Sequence, residues 1–327
     1  MSVIITGGAG FIGLNVAERL LRRGEDVVLF DLNAPPTWAL DALGSVAGGQ
    51  PDFVKGDVCS PDDIDRAIKD HGATRLVHGA AITADIHRER RAARTIAEVN
   101  LVGAIETLEA ALRHGITRVV QLSTGSVYGT SGTAKPLLDE TDLPCPDSLY
   151  SITKFAAERT GLRYRNTRGL DLVAVRLGMA FGRYEYDTGR RDTLSLPLQL
   201  IENAERGIDA VLPAGSGGDW VYATDVADGI LALLDAKGGQ DLYHLSSGRR
   251  WSTDDWAACL TGHFPDFRWR SSTAPDEVTI GRSAPTPRAP FSIERLRRDH
   301  GFAPQFNLDM ACEDILAWRS KFREQRN

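Results

Sequence analysis

Val3-Ile4-Ile5-Thr6-Gly7-Gly8-Ala9-Gly10-Phe11-Ile12-Gly13 stands at the head of the chain. A short apolar run passes directly into glycines at 7, 10 and 13, in Gly-x-x-Gly-x-x-Gly spacing. Without side chains the backbone can turn tightly and approach a pyrophosphate, while the next helix aims its N-terminus at the anion. Such a loop takes its meaning from context: a strand before it, a helix after it, and an acid closing the second strand. The second run, Val27–Asp31, ends in that acid. Asp31 can accept hydrogen bonds from adenosine ribose hydroxyls, and it repels a 2′-phosphate. The expected cofactor is therefore NAD rather than NADP, with Gly7, Gly10, Phe11, Ile12, Gly13 and Asp31 among its contacts.

Outward from this loop the pattern repeats. Short apolar runs follow at Asp52–Lys55, Arg75–His78, Arg118–Ser123 and Leu172–Arg176. Helix-period stretches lie between them, clearest at Ala92–His114 and Leu149–Arg168. Alternation at this spacing predicts an α/β fold, a doubly wound parallel sheet covered on both faces. Gly24, Gly72, Gly115 and Gly169 fall where a helix should stop before the next strand. Beyond about residue 180 the pattern loosens. Pro213, Gly215, Gly217, Gly218, Pro285, Pro287 and Pro290 punctuate it, and shorter helices are expected near Thr224–Asp235, Thr253–Thr261 and Leu308–Phe322. The expected division is a cofactor domain over 1–180 and a smaller α/β substrate-binding region over 181–327, interleaved with the first and not folding alone.

Two further strand ends fit the same cofactor. In Gly56-Asp57-Val58, Asp57 could meet the adenine amine or cap a local turn. In His78-Gly79-Ala80-Ala81, the small Ala80 and Ala81 would let a dinucleotide pass closely, and His78 reads as structural. Tyr150-Ser151-Ile152-Thr153-Lys154 then places a phenol and an ammonium on one face of a helix. A free tyrosine, with a pKa of about 10, is a poor base at neutral pH, and a neighbouring cation favours its phenolate. Leu122-Ser123-Thr124-Gly125-Ser126-Val127-Tyr128-Gly129 follows the fifth strand, at the edge where open α/β sheets bind ligands. Thr124 can hydrogen-bond an alcohol as it becomes a carbonyl. Ser123 and Ser126 are neighbouring candidates, and Tyr128 reads as a packing or substrate-wall residue.

Thr6–Gly13, Asp31, Asp57, the Ser-Thr-x-x-Val-Tyr-Gly segment and Tyr150/Lys154 together resemble the extended short-chain dehydrogenase/reductases, and within them the NAD-dependent epimerase/dehydratase family. The resemblance is close to about residue 182 and looser through Gly218-Asp219-Trp220-Val221-Tyr222-Ala223-Thr224-Asp225-Val226-Ala227. It implies a Rossmann fold, Thr124 as the hydroxyl, Tyr150 as general base or acid and Lys154 as its tuner. It also implies Asn100 as a supporting residue at the cofactor, and a homodimer formed by the helices near Ala92–His114 and Leu149–Arg168. Departures bear on substrate. Met179 and Gly218 stand where members acting on nucleotide sugars carry Asn and Arg, which removes one polar and one charge-assisted contact to a diphosphate. Gly125-Ser126 replaces the acid pair of the sugar dehydratases. Cationic residues occur in the expected substrate loops: His87, Arg88, Arg90, Arg91, Arg183, Arg190 and Arg191. Arg183, directly after a strand end, is the first choice for an anionic group, with Thr83, Ser126 and Met179 lining the same pocket.

The chain has 327 residues, with 38 Lys+Arg against 44 Asp+Glu and a net charge of −6. That balance gives no overall field to hold a nucleic-acid backbone, and no basic aromatic patch supports such a role. No run of about 18 apolar residues predicts a membrane span, and Met1–Gly7 lacks the basic start of a signal peptide. Cys59, Cys145, Cys259 and Cys312 are few and scattered, which predicts a cytoplasmic protein without a metal site. The expected activity is NAD-dependent oxidation of a secondary alcohol on a free sugar, sugar acid or related polyol. A nucleotide-sugar 4-epimerase with tightly bound NAD is the near alternative, and a non-catalytic NAD-binding regulator the remote one.

Overall fold

Val3 and Ile5 point into one apolar cluster and Ile4 into another, so the first strand is buried on both faces. The same is true of Val27 and Leu29 against Val28 and Phe30 in the second strand. A parallel sheet covered by helices on each side requires such strands. The computed structural model describes residues 2–47, 49–281 and 288–322, and Pro285 and Pro287 lie outside them.

The six expected strands are present as β1 (Ser2–Thr6), β2 (Asp26–Asp31), β3 (Asp52–Lys55), β4 (Ala73–His78), β5 (Arg118–Thr124) and β6 (Leu172–Leu177). After β6 come β7 (Met179–Phe181), β8 (Ala210–Pro213), β9 (Gly217–Gly218), β10 (Trp220–Tyr222), β11 (Leu242–Leu245), β12 (Trp251–Ser252) and β13 (Trp269–Ser272). The main sheet runs β11-β6-β5-β4-β1-β2-β3, and every pairing in it is parallel. Strand order reverses between β1 and β4, and at such a switch point a crevice opens at the carboxyl edge.

The helices are α1 (Phe11–Arg22), α2 (Thr37–Ala47), α3 (Pro61–His71), α4 (Ile86–Ala97), α5 (Gly103–Arg113), α6 (Leu149–Arg168), α7 (Leu196–Arg206), α8 (Ala223–Asp235), α9 (Thr253–His263), α10 (Glu294–His300) and α11 (Leu308–Lys321). The single helix expected over Ala92–His114 is broken. It begins earlier, at Ile86, kinks at Ala92, and passes through a π-helical turn at Glu98–Val102 before α5. The wider turn carries Asn100, whose buried amide bonds the Ile82 backbone and Thr153.

The chain returns to the sheet after residue 181. Strand β11 pairs with β6, α8 lies on α1, and Arg19 grips Asp228 through Nε and Nη2 at 2.6 and 2.9 Å. The end of α11 enters the main core, where Trp318 meets Trp38 and Tyr184 edge-on. The smaller unit has its own cluster around Phe181, Trp220 and Trp256, between α7, α9 and α11. No helix among the described residues is long and apolar enough to cross a membrane.

Candidate active site

A cleft of about 900 Å³ opens along the carboxyl edge of the sheet. Its cofactor end begins at the glycine loop. Gly7 has φ +69°, and a Cβ there would lie 2.8 Å from the Ala80 nitrogen, so only glycine lets β1 turn this close to the β4 end. Gly10 caps α1 without any side chain, which leaves the helix N-terminus open to an anion. Asp31 accepts from Ala9 N–H at 3.1 Å and Leu32 N–H at 2.8 Å. Burial raises its pKa, opposed by those N–H groups and by the Arg190 charge. Phe11, Ile12, Gly13, Val58, Ala80 and Ala81 line the same end. Asp57 lines it as well, and its carboxylate also accepts from Cys59 N–H at 2.9 Å, so it closes a local turn. The cradle is shaped for a dinucleotide: open backbone at the turn, an acid at the end of β2, and small residues along the path.

The middle of the cleft is built by β5 and α6. Ser148 caps α6, accepting from Ser151 N–H at 3.2 Å, while Ser151 Oγ accepts from Ser148 N–H in return at 3.0 Å. This reciprocal cap fixes the first turn, and Tyr150 and Lys154 both line the cleft from it. Lys154 is buried and donates from Nζ to the Leu122 carbonyl at 2.6 Å. Burial pushes its pKa down to about 8, and the charge of Glu158, one turn on, opposes the shift. Thr124 faces the cleft at the end of β5, and its hydroxyl also accepts from Ser126 N–H at 3.1 Å.

Beneath this floor lies a buried polar network. Arg176 binds Glu158 through Nε at 3.0 Å and Nη2 at 2.7 Å, and donates from Nη1 to the Tyr128 hydroxyl at 2.7 Å. Ser123 donates to Glu158 at 2.6 Å, and the Tyr128 hydroxyl pairs with His244 Nε2 at 2.7 Å. Ser123 and Tyr128 are thus committed to the network. His78, held at about 3 by burial and by the Lys154 charge, is neutral and bonded to Thr6 Oγ1 at 2.8 Å.

At the far end the structure differs from the sequence expectation. Arg183 does not line the cleft: its guanidinium is taken up by Asp314, with Nε to Oδ2 at 2.8 Å, and reaches Glu18 at 3.4 Å. The chain turns over there, since Gly182 lies at φ +144° and Tyr184 at φ +62°, and the side chain leaves the cleft. Asn100 also stays outside, joining the β4 loop to α6 as a positioning residue. Thr83, Ser126 and Met179 do line it.

Arg190 and Arg191 line the cleft on a segment laid across it. Tyr186 donates to the Ala9 carbonyl at 2.7 Å, Thr83 N–H donates to the Arg190 carbonyl at 2.8 Å, and Arg88 grips Asp192 through Nε at 2.8 Å. Arg288 was invisible to sequence analysis. Its guanidinium lies over Gly125, where a Cβ would come within 2.5 Å of Nη2, and pairs with buried Asp219 at 2.8 Å. Its side chain is 9% exposed, and Nε has no hydrogen-bond partner among the described residues. The residue follows a run of prolines with no periodicity, so only its charge could have drawn attention.

Fold and site together define an NAD-dependent enzyme of the extended short-chain dehydrogenase/reductase class. A sequence model of the NAD dependent epimerase/dehydratase family matches residues 3–245, and the chain belongs to that family. It is 30% identical to a dTDP-glucose 4,6-dehydratase of Streptomyces niveus, over 89% of this chain and 90% of that protein. A second relative, the dTDP-glucose 4,6-dehydratase of Streptomyces antibioticus, is 29% identical over 81% of this chain and 77% of its own length. Among solved structures, the UDP-glucose 4-epimerase of Stenotrophomonas maltophila with bound NAD superposes with a TM-score of 0.85, at 20% identity and 99% coverage of both chains. The UDP-glucose 4-epimerase of Thermotoga maritima gives 0.83, at 21% identity over the whole of both chains. These likenesses show the fold.

Proposed function

We propose that the protein oxidises a secondary alcohol on a sugar, sugar acid or related polyol. Tyr150 receives the hydroxyl proton, Thr124 holds the alcohol as it becomes a carbonyl, and Lys154 stabilises the phenolate and the nicotinamide ribose. NAD, when bound, supplies the acceptor for the carbon-bound hydrogen. The observation that carries the proposal is the convergence of Thr124, Tyr150 and Lys154 on one cleft, with Gly125 and Ser126 where an elimination would need acids. Gly7, Gly10, Phe11, Ile12, Gly13, Asp31, Asp57, Val58, Ala80 and Ala81 would hold the dinucleotide. Thr83, Ser126 and Met179 would border the substrate. Arg288, not Arg183, would meet an anionic group, since its guanidinium lines the cleft beside Gly125 and suits a carboxylate.

A second reading is a nucleotide-sugar 4-epimerase, acting through the same oxidation and returning the hydride to the other face. It is favoured by the segment pinned across the cofactor end through Tyr186 and Thr83, which hinders cofactor release. One experiment separates the two: NAD+ is supplied with free sugars, sugar acids and nucleotide sugars. Stoichiometric NADH with a free sugar or sugar acid supports the dehydrogenase. Isomerised product without NADH overturns it in favour of the epimerase. We further infer a homodimer through α4, α5 and α6, on which Ile86 and Ile152 are exposed. The four free cysteines fit a reducing, cytoplasmic setting.

A further inference from the structure

Cys259 and Cys312 are remote in sequence, yet the fold brings them together in the smaller unit. Cys259 lies on α9 and Cys312, fully buried, on α11, with their sulfurs within 4.8 Å of each other. His263 stands four residues beyond Cys259, on the same face of α9 and at its carboxyl end. One donor atom from each of the three lies within 4.8 Å of the other two. We infer that Cys259, His263 and Cys312 bind a thiophilic d10 metal ion, zinc above all, which clasps α9 to α11.

The donor set fits the ion. Zinc takes thiolate sulfur at about 2.3 Å and imidazole nitrogen at about 2.0–2.1 Å in a tetrahedron, which places the donors about 3.5–3.8 Å apart. Closure therefore needs a movement of about 1 Å, within reach of the exposed His263 ring as it turns about its side-chain bonds. Three protein donors leave a fourth position for water, and His263 borders a surface cavity of about 430 Å³ shared with Glu205, Phe264, Glu313 and Ser320. The surroundings favour a cation. The helix end at His263 carries the negative pole of the α9 dipole. Asp309 and Glu313 stand on the same helix as Cys312, three residues before it and one after it.

The test uses the whole chain with NAD, reduced and dialysed against chelator, then titrated anaerobically with Co2+ and Zn2+ alone. The expected result is one Co2+ per chain with tetrahedral absorption and a thiolate charge-transfer band, lost on adding one equivalent of Zn2+. Zinc at a hundredfold excess over its Kd should raise the melting temperature by about 4 °C. His263→Ala should weaken binding at least tenfold and leave the metal-free melting temperature unchanged, because its ring is exposed. Cys259→Ala/Cys312→Ala should abolish the charge-transfer band. The inference fails if the reduced protein binds no stoichiometric metal at micromolar concentration, if His263→Ala binds as tightly as the parent, or if the two thiols simply close to a disulfide that excludes metal. Hydride transfer rests on other residues, so none of these outcomes bears on the proposed activity.

Discussion

The two ends of the cleft are built by different means. At the cofactor end, the lining groups come from strand ends and the turns just after them: Gly7–Gly13 after β1, Asp31 on β2, Asp57 after β3, Ala80 and Ala81 after β4. Much of that surface is backbone. At the substrate end, Met179 comes from β7 and Arg288 from the approach to α10, and the segment of Arg190 and Arg191, clipped to the β4 loop, reaches back toward Asp31 and Phe11. The clips join distant residues, as in Arg88 with Asp192, 104 positions apart. Cofactor binding by backbone is fixed with the sheet. Substrate recognition by imported side chains can be retuned without disturbing it.

The two ends meet at Tyr150, so the largest effect is expected there. Tyr150→Phe should lower kcat by about 10²–10⁴-fold while NAD affinity, followed by titration, holds. Turnover that survives would remove the junction and the proposed chemistry with it. Next is the support beneath both ends. Glu158→Gln leaves Arg176 buried without its counter-charge and should cost about 3–5 kcal/mol in urea unfolding. A loss under about 1 kcal/mol would mean that water already shares the pair.

Lys154 links the ends through pH. Its folded pKa of about 8 lies below the ordinary 10.5, so between those values the unfolded chain binds more protons. Stability should therefore be lowest below pH 8 and rise as pH climbs from about 8 to about 10.5, by up to about 3 kcal/mol relative to Lys154→Met. Unfolding curves for the two proteins that run parallel across that window would show the ammonium to be hydrated.

Two substitutions then divide the cleft. Arg288→Ala should cost about 1.5–3 kcal/mol, or about 10- to 150-fold in kcat/KM, for anionic substrates, and leave neutral ones and NAD untouched. An equal loss on neutral sugars would reduce Arg288 to a partner for Asp219. Asp31→Ala should relax the preference for NAD over NADP by about tenfold and spare substrate KM. Unchanged discrimination would take the ribose role from Asp31.

What was legible in the sequence follows the same divide. The strand runs, the glycine loop, Asp31 and the Tyr150/Lys154 pair could be read because each depends on neighbours within a turn or two. Leu242–Leu245 was missed as the seventh strand because four residues beside Gly238 and Gly239 show no period of their own and become a strand only against β6. The break in the Ala92–His114 helix was missed because Asn100 finds its partners, Ile82 and Thr153, in other elements. Arg183 follows a strand end as a substrate residue would, and Asp314, far along the chain on α11, draws it away together with Glu18 on α1.

By itself the sequence determined the parallel sheet, its cofactor loop and the helix that carries phenol and ammonium together, since hydrophobic period, glycine and one helical turn are local properties. Tertiary structure alone decided which arginines line the cleft, which acid stands under the lysine and which cysteines meet. Those outcomes depend on distances between segments far apart in the chain, which packing sets and no local pattern encodes.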